Sequence, residues 1–257
     1  MSINGRDYGS AGGPSPEMHI DTGRVGGSSK ALNLGNVFGI MFIWLLATAG
    51  LAFGFGYLFY NWLMNGGQSA ENGLMAILIT SGISLIILTF IIQFFALRKG
   101  KGMIILSSLY VLCMGILSSS LVLFMPWYIL GVALGITTVI FGVLSLIGFL
   151  ARNVRPIAMI GFMIIIGAGI TALITWLVIL FTGISGQAVT FLWIVDFALF
   201  AGMLLLIIVD LHNINKICER GEVSTNLTLY CALTLYSDFI YIFIKIAYYL
   251  ALAYGRK

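Results

Sequence analysis

Leu235-Tyr236-Ser237-Asp238-Phe239-Ile240-Tyr241-Ile242-Phe243-Ile244-Lys245-Ile246 is a long apolar run that holds one aspartate and one lysine. A charge at the middle of a membrane helix costs roughly 2.5–3.5 kcal/mol on insertion scales, so it needs a reason to be there. Asp238 and Lys245 are seven positions apart. That spacing is roughly 20° short of two helical turns, so both lie on one face, about 10 Å apart along the axis. Such a face cannot look at lipid. The other helices must wrap around it, and the last helix is expected to be central rather than at the edge.

The composition agrees with a membrane as solvent. The 257 residues are 60% hydrophobic and 9% charged, and the mean hydropathy is +1.08. A soluble domain carries about 25% charge. The net charge of +4 sits in the connections, where it reads as orientation signal and lipid-headgroup contact, not as nucleic-acid binding. Cys113, Cys218 and Cys231 have no CxxC spacing and no nearby histidine pair, which argues against zinc and for idle or buried thiols. No cofactor and no enzymatic activity are expected. The first residues are polar and do not form a cleaved signal peptide of the usual kind.

Residues 1–35 are rich in Gly and Ser, with Pro14, Pro16 and mixed charges, and read as a disordered cytoplasmic tail. Residues 36–257 read as one transmembrane domain. Its apolar runs fall near 37–60, 74–97, 103–124, 127–150, 157–182, 188–211 and 228–250, each long enough to cross a core of about 30 Å. The expected fold is all-α, a polytopic membrane protein of seven transmembrane helices. A β-barrel would need polar–apolar alternation, which these runs lack.

Arg98, Lys99 and Lys101 follow the second run, Arg152 and Arg155 the fourth, and Lys216 and Arg220 the sixth, while the intervening connections have no Lys or Arg. The positive-inside rule then makes the N-terminus cytoplasmic. Seven crossings put Arg256 and Lys257 outside, against that rule, so a re-entrant last helix is the alternative to seven full spans. The sequon Asn226-Leu227-Thr228 falls on the cytoplasmic side and reads as chance. With no retention signal ending the chain, a bacterial plasma (inner) membrane is the expected location.

Four charges lie within the last two runs: Asp196 and Asp210 in the sixth, Asp238 and Lys245 in the seventh. Leu211, Ile214 and Ile217 keep helical spacing, so the sixth helix should continue to about Cys218. Asp210 is then about 12 Å deep and Asp238 about 15 Å from the same side; Asp196 is about 12 Å and Lys245 about 8 Å from the other. This predicts two storeys: an inner carboxylate pair, Asp210 with Asp238, and an outer ion pair, Asp196 with Lys245. Two carboxylates 4 Å apart at an effective dielectric near 20 repel by about 4 kcal/mol. They would share a proton and titrate as one unit. Losing that proton would part the helices or recruit a cation, and calcium takes carboxylate oxygen. Other readings stay open: Asp210 as a cap, Lys245 snorkelling outward, Asp238 in a purely structural hydrogen bond. His212 reads as interfacial and solvated. Trp62, Trp127, Tyr128, Tyr248, Tyr249 and Tyr254 read as interface anchors.

Ala232-Leu233-Thr234-Leu235-Tyr236-Ser237-Asp238-Phe239-Ile240-Tyr241-Ile242-Phe243 resembles the last-helix signature of the transmembrane Bax inhibitor motif family, approximately A-L-x-L-Y-L-D-F-I-N-L-F. Ile208-Val209-Asp210-Leu211-His212-Asn213-Ile214 resembles that family's sixth-helix pattern, approximately L-Y-D-x-x-x-I. The resemblance implies seven helices with the last one central. It implies that Asp210 and Asp238 are the paired aspartates, a pH sensor that gates a calcium leak and a cation site that would take calcium. It also implies that Arg98 is a basic residue that bonds to the aspartates in one state. This chain departs from the pattern at Val209, Ser237 and Tyr241. Lys245 and Asp196 lie outside the pattern, and a lysine on the path would repel calcium.

The leading expectation is a pH-sensitive calcium leak channel or transporter, with the lipid bilayer and calcium ions as partners. The alternative is a regulator without transport, acting on a membrane protease or a stress or cell-death pathway through the tail. An intramembrane aspartyl protease would show Gly-x-Gly-Asp, whereas this chain has Tyr236-Ser237-Asp238. A retinal protein would carry an acid four residues before the lysine, where Tyr241 stands.

Overall fold

The computed structural model describes residues 34–96, 102–182, 186–219 and 225–255. They form six helices: α1 (Leu34–Ala96), α2 (Gly102–Phe124), α3 (Trp127–Leu150), α4 (Arg155–Thr182), α5 (Gly186–Glu219) and α6 (Thr225–Gly255). All six are long and apolar enough to cross a membrane. The tail up to residue 33, Arg98, Lys99, Lys101, Arg220, Arg256 and Lys257 lie outside the described residues.

Six helical elements stand where seven separate helices were expected, because the first two runs are joined across a kink at Gly67 into one 63-residue element. The connection between them contains no proline and stays helical except at Gly67, where φ is 54° and ψ is −144°. That conformation is open to glycine and costly for any residue with a Cβ. The chain doubles back there. The Trp62 ring lies against Gly73, so close that a Cβ on Gly73 would collide with it. On a straight helix Leu51 and Ser81 would be about 45 Å apart. Yet Leu51 packs on Gly115, and the Ser81 hydroxyl donates to the Cys113 carbonyl at 2.9 Å.

Close helix approach elsewhere also uses small residues, since without a hydrophobic drive inside lipid, tight packing supplies the attraction. Gly161 of α4 and Gly202 of α5 each face the other's carbonyl. Gly148 of α3 sits under Ile208 and Leu211 of α5, which fixes the height of the turn that carries Asp210. The last helix is the core. α6 packs against α1, α2, α3 and α5, and 50% of its apolar window is buried, against 11% for α4.

A buried aromatic and polar network holds α6 in place

Tyr236 is fully buried, and its hydroxyl pairs with that of Thr48 at 2.5 Å, while Thr48 also donates to the Trp44 carbonyl. Trp44 and Tyr110 both meet the Tyr236 ring edge-on, with centroids 6.2 and 6.3 Å away. Phe239 meets Phe141 of α3 at 5.5 Å. These contacts pin α6 to α1, α2 and α3 on both sides of Asp238, so that residue is held at a set depth.

Candidate functional site: the acids of α5 and α6

The structure brings Asp196 and Lys245 together. Lys245 Nζ donates to Asp196 Oδ1 at 2.5 Å, and Tyr249 Oη donates to Asp196 Oδ2 at 2.9 Å. Both carboxylate oxygens are therefore engaged. Tyr249 was expected as an interface anchor; it is instead the second donor to this carboxylate. The signal in the sequence is its position four residues after Lys245, which places it on the same helix face. Trp193 stacks on Tyr248, centroids 5.7 Å apart and planes within 8°, and Phe200 packs on Tyr249 and Tyr241. A cavity of about 500 Å³ lies beside the pair, lined by Thr190, Trp193, Tyr249, Leu252 and Ala253.

Asp238 is placed differently. It is 8% exposed, and its Oδ2 has no hydrogen-bond partner. Among the described residues the sole salt bridge is Lys245 with Asp196, so no described cation is paired with Asp238. Its electrostatic neighbours are Asp210 and Tyr110, which in turn interacts with the Thr89 side chain. Tyr110 and Thr89 carry no sequence signature, because they come from two other helices.

Asp210, expected to pair with Asp238 at one level, is an electrostatic neighbour of Asp238 across the packed faces of α5 and α6.

His212, expected at the solvated interface, is buried, at 5% exposure. Its Nδ1 lies 3.1 Å from the Gly148 carbonyl, and its Nε2 has no partner. The close approach of α3 at Gly148 is what covers it, and helix periodicity alone does not reveal a neighbour so near. Cys113, Cys218 and Cys231 are free thiols. Arg98, the implied gating partner, lies outside the described residues. Among the described residues no three His, Cys, Asp or Glu side chains gather into a metal site. Calcium takes six to eight oxygens, more than the two carboxylates supply by themselves.

A family model described as inhibitor of apoptosis-promoting Bax1 matches residues 31–254. No curated protein and no solved structure matches the chain.

Proposed function

The chain belongs to the Bax inhibitor motif family, and from that premise we propose that it is a pH-sensitive calcium leak channel or transporter gated at Asp238 and Asp210. The observation that carries this reading is the orphaned carboxylate: Asp238 is buried at mid-helix, on the most enclosed span, with one oxygen unpartnered. A carboxylate in such a place has two ways to be neutral. It can hold a proton or it can hold a cation. Protons and calcium then compete for the same oxygens, and the neighbouring Asp210 offers a second foothold on α5. The lysine that would repel calcium is offset by Asp196, so that level is a neutral pair rather than a positive plug.

On this reading each limb of α1 is one crossing, giving seven in all, with the N-terminus cytoplasmic in a bacterial plasma membrane. The test is calcium flux into vesicles reconstituted with the purified protein. Flux should fall as the pH is lowered, because protons take the carboxylates first, and Asp238→Asn and Asp210→Asn should flatten that dependence. Flux equal to that of protein-free vesicles would sink the proposal.

The family's description names inhibition of a death-promoting protein, and this favours a second reading, a regulator without transport that acts on such a factor or on a membrane protease. Deleting residues 1–30 should then abolish the regulatory phenotype while leaving any flux unchanged.

A further inference from the structure

A second cavity, of about 730 Å³, runs along the opposite side of α6. Its walls come from the first limb of α1, the end of α2, the length of α3, and α6 at Phe239, Ile240 and Phe243. It is within the range of small-molecule sites, but its shape is not compact. The lining of α3 extends from Trp127 to Ser145, about 27 Å of helix, nearly the thickness of a bilayer core. The cavity is therefore an elongated slot whose length suits a linear chain. Phe38 and Phe149 meet edge-on at one end, which closes it. Phe42, Leu46 and Phe53, all exposed, line its flank, so the slot opens sideways where lipid tails lie.

One polar group inside it lacks a partner. Ser118 lines the cavity, is 6% exposed, and its hydroxyl has no hydrogen bond. The other serines of α2, at 107, 108, 119 and 120, all donate to carbonyls of their own helix. Thr48, Thr138 and Ser145, which share the lining, do the same. Ser118 alone presents an unused donor, about 9 Å in from the end of α2. Beneath it the slot continues for about 18 Å toward Ser145, the reach of an extended long acyl chain.

We propose that this slot is a binding site for one acyl chain of a glycerolipid, whose ester carbonyl accepts a hydrogen bond from Ser118. The chain lies against Phe239 and Ile240, which follow Asp238 directly. Both are buried, so a chain reaches them only by entering the slot and not from the outer lipid-facing surface. The test is photo-crosslinking in phosphatidylcholine nanodiscs, using phosphatidylcholine with a diazirine on the acyl chain and mapping adducts by mass spectrometry. Adducts at Phe239 and Ile240 should exceed those per residue on lipid-facing α4 several-fold. Gly142→Leu and Gly131→Leu place a side chain in the slot, where a Cβ at either position meets nothing within 4 Å. Each should bring the Phe239 and Ile240 adducts down several-fold and leave those on α4 unchanged, and Ser118→Ala should lower them less. Wild-type labelling of Phe239 and Ile240 at or below the α4 level overturns the proposal. So does labelling that persists in a filled variant that purifies as the wild type does. None of these outcomes depends on calcium flux.

Discussion

Asp238 and Lys245 stand seven positions apart on one face of α6, and the two levels are finished in opposite ways. At the Lys245 level every strong group is used: the lysine and Tyr249 occupy both oxygens of Asp196, and stacked aromatics pack around them. At the Asp238 level the acid is more deeply buried, yet one oxygen goes unpaired. The difference separates a charge that is satisfied where it stands from one whose oxygen is left unpaired in the interior. On the proposed function the second is the one that exchanges a proton or a cation.

The sharpest way to break this contrast is to open the closed level. Asp196→Ala strands Lys245 in a mostly buried site and should cost about 3 kcal/mol, read from thermal unfolding in detergent. Replacing the pair together, Asp196→Leu with Lys245→Met, should recover most of that loss, to within about 1 kcal/mol of the wild type. If the double variant is no better than the single one, the pair is not the unit described. Tyr249→Phe removes one hydrogen bond to a charged oxygen and should cost about 1.5 kcal/mol in the same assay. Asp238→Asn should change stability least, by under about 1 kcal/mol, since the acid makes no ion pair among the described residues. A loss at Asp238 as large as that at Asp196 would mean that both acids are structural.

Depth counted along each helix is an incomplete guide to which side chains meet. Rise per residue fixes where a residue lies on its own helix. It does not fix what the neighbouring helices bring to that level. The burial of His212 and the approach of Tyr110 escaped for a related reason: each depends on a different helix, packed close by a glycine or an aromatic edge. Gly67 is the opposite case. The connection around it, residues 65–73, holds three glycines and two asparagines, poor helix formers, yet it stays helical on both sides of one glycine conformation that makes the turn.

What the chain determined alone was whatever depends on the solvent: helices long and apolar enough for a bilayer, and four charges that must turn away from lipid. Hydrocarbon cannot hydrogen-bond a backbone or solvate an ion, so composition and spacing suffice for that much. Which charge met a partner, which was left open, and where a slot remained beside α6 were decided by packing. Those outcomes depend on ångström-scale offsets between helices, and such offsets are set by contacts among residues far apart in the chain.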